Sequence, residues 1–161
     1  MKNLILLLLI TSFAFAQSQF RLNTTEFQQF SVAVDPCASI RENGLHIGIE
    51  VENIRSLYER FSITNFAALK NGYTDFVGSF GLSFTRGMWE KTRFYSGIRL
   101  GVIARNGGHP LFGYECGIDT NLCKNVSIGL RAYRDYRSDM EFNDGVNQWR
   151  NNGLVRLSFK F

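Results

Sequence analysis

Prolines number only two in this chain of 161 residues, histidines two and cysteines three. With so few imidazole and thiol groups, none at the spacing of a zinc site, no metal and no cofactor is expected. Long apolar runs are absent after the first sixteen residues, and nothing later approaches the roughly 20 residues that a membrane-spanning helix requires. A later crossing by helices is thereby excluded, and any insertion of this part into a bilayer must use strands. A large excess of one charge is missing as well: 18 Lys and Arg face 14 Asp and Glu. These charges are scattered, without a basic run or an aromatic-basic stripe, which removes nucleic acid from the partners to consider.

What is present begins with Lys2, an unbroken apolar run from Leu4 to Ile10, and small or apolar residues through Ala16. A positive start, a short apolar stretch and the Ala14-Phe15-Ala16 site have the form of a cleaved secretory signal over 1–16. Cleavage before Gln17 leaves one domain, 17–161, and the loss of Lys2 lowers the net charge of +4 by one. No cysteine stands at the junction, so a lipid-anchored mature end is not expected.

The 15 Phe, 6 Tyr and 15 Gly of the chain favour pleated strands joined by tight turns. Alternation predicts eight strands, near 28–35, 45–52, 58–69, 73–86, 92–105, 110–119, 125–136 and 153–161. From Gly72 onward one face reads Phe76, Phe80, Leu82; Phe94, Ile98, Leu100; Phe112, Tyr114, Cys116; Val126, Ile128, Leu130; and Val155, Leu157, Phe159, Phe161. The opposite face carries Arg99, Glu115, Asp119, Arg131, Arg156 and Lys160 among glycines and serines, and Glu50 and Glu52 extend it upstream. The stretch 53–69 reads two ways: a strand with a bulge, because Asn65 and Phe66 exchange faces, or a helix with Ile54, Leu57, Tyr58 and Phe61 as its stripe. The bulged strand is favoured because it makes the count even, and both prolines fall in links or at strand ends.

Alternation alone does not separate a soluble sheet from a membrane barrel; the chemistry of the polar face does. Glycine weakens a solvated strand, whereas an eight-stranded barrel has an interior only just wide enough for side chains. Glu50, Glu52, Glu115 and Asp119 would balance Arg99, Arg131, Arg156 and Lys160 in a neutral lumen, which is what buried charges demand. The fold expected is all-β: an eight-stranded antiparallel up-and-down transmembrane barrel, with outer-membrane lipid against its apolar wall.

The last strand, Leu154-Val155-Arg156-Leu157-Ser158-Phe159-Lys160-Phe161, resembles the C-terminal strand of bacterial outer-membrane proteins, which alternates apolar residues and ends on an aromatic ring. The chain is similar in style to small outer-membrane β-barrels of the Bacteroidota, through Ala16-Gln17 and Val126-Ser127-Ile128-Gly129-Leu130-Arg131 leading to Tyr136-Arg137-Ser138-Asp139. The resemblance implies a Gram-negative outer-membrane location. It also implies recognition of Val155, Leu157, Phe159 and Phe161 by the barrel-assembly machinery, and closure of the last strand on the first.

Three cysteines in an exported chain leave one unpaired; Cys116 and Cys123 are the candidate disulfide and Cys37 is expected free. His46 and Glu50 share a face but lie about 13 Å apart along a strand, so a lumenal hydrogen-bonding role is favoured for His46 over catalysis. His109 reads as a loop residue, and Asn106-Gly107-Gly108 lacks the strand-to-helix setting of a phosphate cradle. Tyr58, Tyr73, Trp89, Tyr95, Tyr136 and Trp149 fall near strand ends, where membrane interfaces favour such rings. The leading reading is a non-enzymatic structural, binding or accessory protein with a plugged lumen, whose outer loops, above all 137–152, would meet a partner such as another outer-membrane protein. A lipid-modifying outer-membrane enzyme and a soluble secreted β-sandwich are the alternatives.

Overall fold

The computed structural model describes residues 20–22, 26–41, 43–67, 72–86, 89–140 and 148–161. The expected signal segment, 1–16, lies outside the described residues, as do 141–147 of the long link. Eight strands run in sequence order: β1 (Phe27–Val34), β2 (Leu45–Ile54), β3 (Leu57–Ala67), β4 (Tyr73–Arg86), β5 (Trp89–Ala104), β6 (Gly108–Asn121), β7 (Val126–Arg137) and β8 (Trp149–Lys160). Each pairs antiparallel with the next, and β8 returns to β1 from Gln29↔Lys160 to Val34↔Val155, which closes the barrel. A short helix, α1 (Pro36–Arg41), follows β1, a 3-10 turn (Ser138–Met140) follows β7, and a three-residue strand (Phe20–Leu22) extends the end of β4.

Closure excludes the two-layer sandwich, because there is one sheet and one interior. The alternation sorts side chains opposite to a water-soluble protein: Val51, Phe61, Leu100, Tyr114 and Leu130 are 52–57% exposed, while Glu52, Arg156, Glu115 and Glu50 are at most 1% exposed. Turns at one end of the barrel are short, Arg55-Ser56 and 122–125. The opposite end carries α1, the 3-10 turn and the tight link 105–107, where Asn106 (φ 51°) and Gly107 (φ 139°) hold left-handed backbone that favours these two residue types.

Over its described residues, 53–67, the doubtful stretch is the strand that the sequence reading favoured, but without the bulge. β3 is a strand in unbroken register with β2, from Leu45↔Ala67 to Ile54↔Tyr58, with neither bulge nor helix. Asn65 faces outward and Phe66 inward, as strict alternation requires. Phe66 misleads because it is a large apolar residue on the polar side: with Tyr73, Val77, Ile103 and Leu111 it forms a buried apolar plug at the loop-rich end of the lumen. The register shift lies instead at Thr85/Arg86 in β4.

Glycines on the inward face make room for tyrosine rings. A Cβ on Gly97 would stand 2.4 Å from the Tyr58 hydroxyl and 2.3 Å from the Phe80 carbonyl oxygen, and one on Gly117 would stand 2.3 Å from the Tyr95 hydroxyl. Gly97→Val should therefore displace Tyr58 and cost about 1–3 kcal/mol, read as a lower urea midpoint for the barrel folded in detergent. An unchanged midpoint would mean that Tyr58 has another place to go.

Candidate functional site

Inward positions recur every second residue, so each strand delivers its polar side chains to the same column of space. β2 supplies Glu50 and Glu52, β3 Arg60, β5 Arg93 and Arg99, β6 Glu115 and Asp119, β7 Arg131 and Asp135, and β8 Arg156. These are five guanidiniums and five carboxylates, every side chain 6% exposed or less.

The ten groups form one connected network. Asp119 accepts from Arg93 Nε (3.0 Å) and Arg156 Nε (2.9 Å). Glu52 accepts from Arg93 (2.8 Å), Arg156 (2.9 Å), Arg60 (3.1 Å) and the Gln29 amide (2.8 Å). Glu115 accepts from Arg60, from Arg99 (2.9 Å) and from the Tyr58 hydroxyl (2.7 Å). Asp135 binds Arg99 through two bonds of 2.8 and 3.1 Å, and Glu50 accepts from Arg131 and from Arg156 (3.2 Å). Tyr95 fills the gap between cations: the guanidiniums of Arg60, Arg93 and Arg156 lie 4.7–5.1 Å from its ring. Equal numbers of opposite charges, each held by more than one bond or ring, are what a low-dielectric interior tolerates.

Seven of the eight residues expected in the lumen lie in this network: Glu50, Glu52, Arg99, Glu115, Asp119, Arg131 and Arg156. Lys160 does not. As the last residue of β8 it sits half-buried at the short-turn mouth, donating to Asn121 Oδ1 with its ammonium 4.4 Å from the Phe27 ring centre. The sequence reading missed Arg60, Arg93 and Asp135, which complete the charge balance. The signal for Arg60 was its place opposite Glu52 in a straight β2–β3 hairpin; Arg93 and Asp135 share the parity of Arg99 and Arg131.

At the loop-rich end, Asp35 caps α1 by accepting from Ala38 N (2.7 Å) and also accepts from the Tyr133 hydroxyl (2.8 Å), fastening the helix to the barrel wall. His46 faces the lumen among Phe66 and Tyr73, with ring centroids 6.0 Å apart, and its Nδ1 is 3.9 Å from Asp35. His109 Nε2 lies 3.1 Å from the Arg105 carbonyl oxygen across the tight link. Arg137 and Arg105 bond Asp139 beyond the end of β7. Burial alone would raise the Asp139 carboxyl, but Arg137 and then Arg105 hold it below the usual carboxylate range. Among the described residues no cluster of His, Cys, Asp or Glu is placed to hold a metal ion.

Two further expectations are corrected. Tyr58, Tyr73 and Tyr95 are buried inside the barrel, at 0–4% exposure, because their parity is inward; of the described rings in that set, Tyr136 and Trp149 stand on the outer wall, Tyr136 stacked on Phe112 and Trp149 edge-on to it. The side chain of Trp89 lies outside the described residues. Cys116 and Cys123 are not bonded, and all three cysteines are free. Cys116 sits on the outer face of β6 five residues before the strand ends at Asn121, about 17 Å along the sheet, whereas Cys123 is in the turn, beyond disulfide reach. Val155, Leu157 and Phe159 face outward at 40–44% exposure, and Phe161 is 72% exposed just past β8.

The architecture has known counterparts. Neisserial surface protein A superposes with a TM-score of 0.59 at 16% identity, covering 84% of this chain and 97% of that one. A de novo designed transmembrane β-barrel gives 0.56 at 11% identity, covering 88% of this chain and all of the design. The likeness is one of fold, that of the small eight-stranded outer-membrane barrels. No protein-family model matches the chain, and the comparison with curated proteins gives no match.

Removing one partner from the network leaves buried guanidiniums uncompensated. Glu115→Gln should cost about 3–5 kcal/mol in urea unfolding, and adding Arg60→Met should recover part of the loss, seen as coupling in a double-mutant cycle; simple additivity would contradict a connected network. The Asp139 carboxyl titrates lower folded than unfolded, so the stability it adds is complete above about pH 4 and drains away as pH falls through the folded value. Asp139→Asn should remove that part of the acid sensitivity and leave neutral-pH unfolding two-state.

Proposed function

We propose that the chain is exported through residues 1–16 and resides in the bacterial outer membrane as a plugged barrel with a structural, binding or accessory-subunit role. The observation that carries this reading is the inverted polarity of the sheet: an apolar outer wall around a charged, solvent-excluded interior. Outward Phe30, Val32, Ile47, Ile49, Phe76, Phe80, Ile98 and Val102 are 37–48% exposed in the isolated chain, a greasy belt that hydrocarbon would cover. A Lys or Arg on such a wall at mid-depth would cost about 2–4 kcal/mol, and the outward cations Lys91 and Arg134 both sit near strand ends.

Side chains that line a water-filled path stay accessible to solvent, and those of the central network do not. The barrel is therefore read as a plug with working rims rather than as a pore. With two histidines the chain offers few imidazole bases, which favours a non-enzymatic role. In this reading the barrel-assembly machinery engages the outward Val155, Leu157, Phe159 and Phe161 during insertion, outer-membrane lipid covers the wall, and another outer-membrane protein is the partner class for the loops. The Bacteroidota-type style of the strands belongs to the same reading.

The test is fractionation followed by heat-modifiability on a detergent gel. The folded protein should stay with the outer-membrane fraction through an alkaline wash and migrate differently before and after boiling, and the purified barrel should give no steady conductance in planar bilayers. Recovery in the soluble fraction without detergent would overturn the location; steady single-channel steps would overturn the plug.

A further inference from the structure

The strand register places outward residues of β6, β7 and β8 in horizontal rows. Ile118, Leu130 and Val155 form one row; the next toward the loop-rich end is Cys116, Ala132 and Gly153; above it lie Tyr114, Arg134 and Asn151; and above that Phe112, Tyr136 and Trp149. A row of three small residues between rows of large ones leaves a dent in the outer wall. A shallow groove of about 610 Å³ lies there, with Pro36 and Cys37 of α1 at its rim. A Cβ added at Gly153 would meet only Cys37 Sγ at 3.8 Å and the Arg131 carbonyl oxygen at 3.9 Å, so the space is open.

Directly above the dent stands an outward arginine. The guanidinium of Arg134 lies 5.2 Å from the Trp149 ring centre, its Nε is buried without a hydrogen-bond partner, and among the described residues no carboxylate pairs with it. From α1, Arg41 reaches the same place, donating to the Asn151 carbonyl oxygen (3.0 Å) and to Asn152 Oδ1 (2.7 Å). Two guanidiniums above an apolar dent, under an aromatic row, complement a molecule with a negative head and a hydrocarbon tail.

Resting on the membrane reading above, we propose that this groove is a seat for one anionic membrane lipid, its acyl chain lying over Cys116, Ala132 and Gly153 and its phosphate meeting Arg134. The tail gains contact where the wall is concave, and the head meets a cation that no carboxylate of the described residues pairs with. Arg134 thus departs from the apolar pattern at the depth where lipid phosphates lie.

Trp149 gives a reporter inside the site, since the chain has two tryptophans and Trp89→Phe leaves it alone. The barrel carrying that substitution is reconstituted in phosphatidylcholine nanodiscs doped with either bromo-acyl phosphatidylglycerol or bromo-acyl phosphatidylcholine at equal mole fraction. Quenching of Trp149 should saturate at about fivefold lower dopant for the anionic lipid, the enrichment expected for one cation near a lipid surface. Arg134→Gln should abolish that difference while keeping heat-modifiability. Gly153→Val, which fills the dent, should weaken quenching by both dopants and serves as the second variant if Arg134→Gln does not fold. Equal quenching by both lipids in the parent barrel overturns the lipid seat and leaves the membrane reading intact. Weak quenching by both, with cross-linking between copies through Cys116, makes the dent a protein interface and likewise overturns the proposal. Absence of quenching from a barrel that stays in the aqueous phase defeats the membrane reading itself, and the lipid seat with it.

Discussion

Neutrality of the lumen is the condition on which the rest of this structure depends. Eight strands enclose a space that side chains fill and bulk water does not, so any charge placed there must meet its opposite within bonding distance. Five guanidiniums and five carboxylates satisfy that condition as a single network rather than as five isolated pairs. Arginine suits this task better than lysine: its planar fork reaches two carboxylates at once, as Arg156 does toward Asp119 and Glu52. Every carboxylate except Asp135, which Arg99 alone holds, engages more than one arginine, so deleting one of these disturbs several others.

The network also ties closure of the barrel to its content. Arg156 comes from β8 and bonds Glu50 and Glu52 of β2, across the seam where β8 meets β1. Ser31 of β1 and Ser158 of β8 exchange a 2.8 Å bond at the same seam. Until β8 docks, Asp119 and Glu52 lack one of their cations, and an open sheet holds charges that neither water nor a partner fully serves in a lipid setting. Backbone pairing and side-chain neutralisation are completed by the same strand, which favours the closed form over any open intermediate. The smallness of Gly97 and Gly117 belongs to this logic too, because Tyr58 and Tyr95 need that room to reach Glu115 and to lie between the arginines.

Most of the fold was legible because a period of two is hard to disguise over strands of 8 to 16 residues. The strand count, the sidedness and seven network members followed from it. What misled was chemistry at odds with its face: Phe66 and the inward tyrosines looked like membrane-facing groups, although their place in the alternation is inward. Arg60 was lost with the same segment, since a face exchange that does not occur hid its place opposite Glu52. Lys160 erred the other way. Its parity is inward, but it is the last residue of β8, at the barrel mouth, and depth along the axis is not encoded in alternation. The disulfide failed for a similar reason: Cys116 and Cys123 are close in sequence, yet a strand converts five intervening steps into length rather than proximity.

A filled interior moves selectivity to the parts of the barrel that are not obliged to be neutral or apolar. In the central network each of the ten charges has an opposite partner, and the outer wall at mid-depth admits no charge cheaply. Departures from these two rules therefore carry information that obedience does not. They cluster at the loop-rich end, where α1 is pinned by Asp35, Asp139 gathers Arg105 and Arg137, and Arg134 stands on the outer face beside Trp149. The opposite mouth has Lys160, Asn121 and a recess of about 450 Å³, with Lys91 beside it. At the loop-rich rim the ordered polar groups lie outside the neutral central column, held by α1, by the 3-10 turn and by the ends of the strands beside them.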